Sequence, residues 1–224
     1  MYVQLNSTKP ETMKKLALLF ITASLFTACS SPSDQELAEK NQATLDSLEL
    51  VEQQQHDEEI QKYSDIGFKY ASTTKATLGK NLMAAIMEKG TEHALDFCNV
   101  QAMPLTDSMS QVHNAKIRRV SDKPRNQNNA ANAKELDQIA YYKGLIADGK
   151  SGKDIKPNVE INGDQVQFYY PIITNEMCLQ CHGTKEDVVK PATLAMLSEL
   201  YPEDKATGYQ DNEVRGIWSI IFER

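Results

Sequence analysis

Two cysteines three residues apart, with a histidine directly after the second, stand at Cys178-Leu179-Gln180-Cys181-His182. On a helical turn, positions i and i+3 share a face, so both thiols point the same way and the next side chain follows on that side. This arrangement suits the edge of a porphyrin. Each sulfur meets one vinyl group to form a thioether, and the imidazole that follows reaches the iron. The motif predicts one haem c, attached through Cys178 and Cys181, with His182 as an axial iron ligand. Two other chemistries use the same residue types. A thioredoxin-like redox pair needs a βαβ setting and a helix start that stabilises thiolate, and neither is evident. A structural zinc site takes four ligands, and this stretch supplies three at cramped spacing.

Covalent haem attachment in bacteria takes place outside the cytoplasm, so the N-terminus bears on the motif. Lys14 and Lys15 precede an apolar run from Leu16 to Phe26, followed by Thr27-Ala28-Cys29-Ser30. A short basic region, a brief apolar stretch and small residues before a cleavage point make a signal peptide, too short to span a bilayer comfortably. Leu25-Phe26-Thr27-Ala28-Cys29 resembles a bacterial lipoprotein signal, in which the cysteine is acylated and becomes the first mature residue. Cys29 is therefore expected to carry a lipid anchor, and residues 1–28 to be removed. Losing Lys9, Lys14, Lys15 and Glu11 leaves 21 basic against 30 acidic residues, a formal −9 in place of the −7 of all 224 residues. Such a chain meets the membrane through acyl chains and not through a basic patch, and it is ill suited to nucleic acid.

Elements must then position the motif. Residues 29–62 are rich in Gln, Glu, Asp and Ser, with Leu37, Leu45, Leu48 and Val51 as a thin apolar stripe. They read as a helical stalk. From Tyr63 a stronger helical pattern (Ile66, Tyr70, Leu78, Leu82, Ile86) closes at Gly90. Another helix runs from Thr91 toward Met103, where Pro104 is expected to kink or restart it. Asn132 and Glu135 form a capping box that opens a helix ending at Gly149. Strand signals come later. Val159 and Ile161 alternate, Asn162-Gly163 supplies a tight turn, and Val166, Phe168, Tyr170 and Ile172 alternate on the return. Lys116–Val120 is a short strand, and Val214–Phe222 is apolar enough for the middle of a sheet. Helices followed by an antiparallel sheet make an α+β fold.

In several further places the chain resembles the bacterial mono-haem c-type domains with a PAS-like fold, long catalogued as a domain of unknown function. The likeness covers most of the region from Tyr63 to Arg224. It rests on Phe97-Cys98, on Ile117-Arg118-Arg119-Val120-Ser121 with Pro124-Arg125-Asn126 and Asn129, and on Cys178 to Gly183. A last block runs from Tyr201 to Tyr209, with Arg215-Gly216 shortly after it. Gln127 departs from the pattern, where the family often has proline. The resemblance implies a PAS-like antiparallel sheet flanked by helices over residues 63–224, with haem held against it. It also implies a cysteine thiolate as second axial ligand in some members. Cys98 is the thiol that the anchor and the thioethers leave over, between Ala94 and Ala102 one turn to either side. Rivals for the ligand are a methionine, His93 or His113, and Cys98 as a small buried hydrophobe is the alternative. Arg118, Arg119 and Arg125 are candidates to pair with haem propionates, against a solvated strand and loop. Tyr169 and Tyr170 pack either on the macrocycle or in the core.

Three function classes follow. A lipid-anchored cytochrome of the cell envelope, transferring single electrons at low potential with a separate redox protein, asks least of the sequence. A haem-based redox or diatomic-gas sensor needs an output, which no segment here supplies, and would act through a separate signalling partner. A peroxidase-like enzyme needs an open iron position and an acid–base group, with only His56, His93 and His113 as free histidines. The expectation is a non-enzymatic electron carrier, with the sensor as its alternative.

Overall fold

The computed structural model describes residues 33–224. The expected signal peptide and Cys29 lie outside them. Residues 33–48, which belong to a first unit, are exposed throughout and helical from Asp34. The second unit, Glu49–Arg224, carries the rest of the first helix and every later element.

The first helix, α1 (Asp34–His113), is broken once, at Lys89 (φ −145°, ψ 17°) and Gly90 (φ 86°, ψ −174°). Gly90 adopts the left-handed conformation that costs a glycine least, so the chain changes direction where the sequence places a stop. Pro104 does not restart the helix, because backbone angles leave the helical range only at Lys89 and Gly90. The carbonyl deprived of its partner belongs to Val100, on an exposed turn open to solvent. Asn114, at φ 47°, ends the helix in the left-handed conformation that Asn tolerates.

After α1 come β1 (Lys116–Val120), a short 3-10 turn (Gln127–Asn129), α2 (Ala133–Ala147), β2 (Asn158–Asn162), β3 (Gln165–Ile173), α3 (Glu176–His182), α4 (Pro191–Leu200) and β4 (Val214–Glu223). The strands form one antiparallel sheet in the order β1-β4-β3-β2. This is the α+β arrangement, with β4 interior as its apolar run requires. Asn162 pairs with Gln165, so the turn residues of the hairpin are Gly163 and Asp164, one place later than expected. The capping box of α2 is complete. Asn132 Oδ1 accepts the Glu135 N–H at 2.9 Å, and Glu135 Oε2 accepts the Asn132 N–H at 2.9 Å.

Alternation along the strands sends side chains to two cores. Val166, Phe168, Trp218, Ile220 and Phe222 meet Tyr63 and Ala71 of α1. Val120, Tyr169 and Ile217 meet Ile139 and Tyr142 of α2. Helix α1 crosses the sheet at Gly67, where an added Cβ would lie 2.2 Å from Phe168 Cδ2. Tyr169 and Tyr170 are thus core or core-edge residues. Tyr170 packs edge-on against Phe68 at 5.3 Å between ring centroids.

Candidate functional site

Helix α3 has only seven residues and cannot hold itself together. Its ends are tied instead. Asn175 caps it, its Oδ1 accepting from Cys178 N–H at 3.2 Å and from the Cys178 thiol at 3.2 Å. At the other end, Tyr209 N–H donates to His182 O at 2.9 Å and Gly208 N–H to Gly183 O at 2.8 Å. Gly183 is required by close approach, since a Cβ there would sit 2.6 Å from Val188 Cγ1 and 2.7 Å from Leu179 O. Cys178 and Cys181 are free thiols on one face. Burial pushes the Cys181 thiol up to about 11, with Arg125 opposing, so it is a neutral thiol at ordinary pH. That is the reverse of the depressed thiol a thioredoxin-like pair uses.

The His182 ring is fixed through one nitrogen. Nδ1 lies 2.7 Å from Ala206 O and 3.2 Å from Arg215 Nε. One nitrogen cannot donate to a carbonyl and accept from a guanidinium at once. The shorter contact assigns the proton: Nδ1–H donates to Ala206 O, and the lone pair is left on Nε2. Burial, then Arg125 and Arg215, hold the imidazole well below its ordinary pKa, so the ring stays neutral. The Tyr209 ring stands edge-on to it at 6.3 Å. A neutral imidazole with Nδ1–H oriented by a carbonyl is the form that ligates metal through Nε2.

Arg125 locks this arrangement. Its Nη2 donates to Cys181 O at 2.5 Å, and its Nε donates to Asp204 Oδ2 at 3.1 Å. Asp204 Oδ1 accepts the Ala206 N–H at 2.8 Å, which sets the carbonyl that His182 uses. Arg118 and Arg119 are neighbours in sequence but part company, because successive strand residues face opposite ways. Arg118 turns to the α2 face and donates from one nitrogen, Nη1, to both carboxylate oxygens of buried Glu135, at 2.8 and 3.1 Å. Arg119 turns to the α1 face, where among the described residues it finds only a long contact to Ala102 O at 3.4 Å and its buried Nε has no partner.

Cys98 lies beyond the Gly90 break, one turn after Leu95. Leu95 packs on Val189 and Leu197, beside part-buried Cys181 and Tyr201. Thr91 Oγ1 donates to Gln180 Oε1 at 3.1 Å, and Thr193 Oγ1 to Glu92 Oε1 at 2.8 Å, sewing this stretch of α1 to α3 and α4. Burial raises the Cys98 thiol pKa, while the charges of Arg119 and Arg125 pull it down. Cys98, Cys181, His182, Arg119 and Arg125 therefore gather at one end of the domain. His113 is elsewhere, stacked on Tyr70 at 4.3 Å. His93 is 3.8 Å from Glu88 beside the break. Asn175, Asp204 and the Ala206 carbonyl do not emerge as site groups from the sequence. Asn175 has a visible signal, a capping residue three before Cys178. A backbone carbonyl has none.

A family model described as Tll0287-like matches residues 31–222. Among solved structures, the crystal structure of the cyanobacterial heme-protein Tll0287 is similar in fold. It is 19% identical with a TM-score of 0.51, and the alignment covers 75% of this chain and 96% of that one. No curated protein matches this sequence.

Proposed function

The chain belongs to the Tll0287-like family, and from that premise we propose that it binds one haem c and transfers single electrons in the cell envelope. The observation that carries the reading is the 2.7 Å contact of His182 Nδ1 with Ala206 O, which assigns the proton to Nδ1 and leaves the Nε2 lone pair for a metal, on the helix that carries two free thiols. The similar solved structure is of a heme-protein. The residues fit the group. Cys178 and Cys181 would supply thiols for two thioethers, and His182 Nε2 and Cys98 are the candidates to hold the iron. When bound, haem supplies an iron that cycles between Fe(III) and Fe(II).

The chain's own residues set the conditions for that cycle. Ala206 O raises the basicity of His182 through the Nδ1 proton and fixes the ring plane. Arg125 holds the carbonyl of Cys181 and the carboxylate of Asp204 together, so α3 and the 201–209 loop keep their spacing. A Cys98 thiolate, if it held the iron, would favour Fe(III) and so a low potential. Cys29 carries the acyl anchor in this reading, and a separate redox protein is the partner. No described helix is long and apolar enough to cross a membrane.

Denaturing acid-acetone extraction, with a pyridine haemochrome spectrum of the polypeptide fraction, tests the proposal. One haem per chain should stay with the protein and be absent from a C178A/C181A variant. Haem that extracts from the parent protein refutes covalent attachment. Mass spectrometry of the mature N-terminus tests Cys29 separately.

A further inference from the structure

We propose that the pocket between the last turns of α1 and the free edge of β1 binds a carboxylate, with the Arg119 guanidinium as its cationic floor. The pocket has a volume of about 260 Å³. Met103 and Ile117 give it apolar walls, Lys116 stands on an exposed rim, and Asn128 and Asn129 line the far side. A buried guanidinium held by one long contact, its Nε unpartnered, is costly unless an anion completes it. Arg118 also lines the pocket, but Glu135 already neutralises it. That leaves Lys116 and Arg119 against Asp107, the one carboxylate among the lining residues.

The backbone adds a second donor. Strand β1 is an edge strand. Ile117 N–H donates outward to Ser110 Oγ at 3.2 Å, and Ser121 N–H donates outward to Asn129 O at 3.0 Å. In an antiparallel ladder alternate residues face the free edge, so the Arg119 N–H between these two points the same way. It has no such partner among the described residues. A carboxylate there would meet one main-chain N–H and a guanidinium, a charge-assisted pairing of the strong kind. Two sources share this chemistry: a haem propionate, which rests on the haem reading above, and a free small carboxylate, which does not.

The chain carries its own reporter. Its one tryptophan, Trp218, is the cross-strand partner of Arg119, near enough to sense charge there. Succinate, with chloride at matched ionic strength as control, is titrated against the full chain as holoprotein and as the haem-free C178A/C181A variant. A saturable change in Trp218 emission of the haem-free chain, weakened about tenfold or more by R119Q and partly restored by R119K, supports the pocket. A holoprotein silent to succinate, in which R119Q shifts the propionate bending band of the resonance Raman spectrum, identifies the haem as the source. A holoprotein that responds to succinate as the haem-free chain does identifies a free carboxylate. If the haem-free variant does not fold, the Raman comparison of parent and R119Q holoprotein stands alone. No saturable response together with an unshifted band overturns the proposal. Protein that carries no covalent haem overturns the haem reading and leaves the succinate arm valid.

Discussion

Replacing Arg125 by Gln should unfasten the haem motif from the loop that orients His182. The side chains of Arg125 and Asp204 are 11% and 10% exposed, so solvent screens their pairing little. The substitution removes a charged donor from Cys181 O at 2.5 Å and from Asp204 at 3.1 Å. A hydrogen bond to a charged group contributes about 1.5–3 kcal/mol, and removing one partner of a buried pair costs about 3–5 kcal/mol. About 3 kcal/mol of lost stability is expected for R125Q. D204N removes the same pairing from the other side, while its amide oxygen can still accept the Ala206 N–H. The two effects should therefore not add. In a double-mutant cycle by urea unfolding, the double variant should be more stable than the sum predicts by about 1.5 kcal/mol or more. In the holoprotein, R125Q should also lower the yield of covalent haem. Single costs below about 1 kcal/mol, or additivity within about 0.5 kcal/mol, would refute the clamp.

Gly67→Ala should destabilise by about 1–3 kcal/mol, because its Cβ lands 2.2 Å from Phe168 Cδ2. Gly79→Ala and Gly144→Ala, with nothing within 4 Å, should stabilise by about 0.5–1 kcal/mol, and thermal melts compare all three. His182 is held neutral well below its ordinary pKa, so the unfolded chain takes up a proton that the folded chain refuses. Stability is fully present above about pH 6.5 and is lost below it, by up to about 1.4 kcal/mol per pH unit. Unfolding of the haem-free chain at pH 5 and 7.5 should show this loss. His182→Gln should flatten the profile, and an unchanged slope would refute the neutral-imidazole assignment. Cys98→Ala in the holoprotein should abolish a low-spin thiolate EPR signal and raise the potential. A variant whose spectrum and potential match the parent's makes Cys98 a packing residue.

Local chemistry is what the sequence alone determined. The Cys178–Cys181–His182 spacing, the break at Gly90, the Asn132–Glu135 capping box and the strand at Lys116–Val120 each depend on residues within a few positions, so their physics is written in one stretch of chain. Fold class followed from the order of helical and alternating patterns. Small displacements mark the limit of local reasoning: the hairpin turn slips by one residue, and Pro104 stays within its helix. Only the tertiary structure decided how the arginines divide. In sequence Arg118 and Arg119 are one basic cluster. In the sheet the pleat sends one to Glu135 and the other to the side of Cys98. The orientation of His182 was equally hidden, because its partner is a main-chain carbonyl 24 residues away that any residue type could supply. Whether a buried charge is matched or left waiting is decided by which surfaces the fold brings together, and no spacing along the chain encodes that.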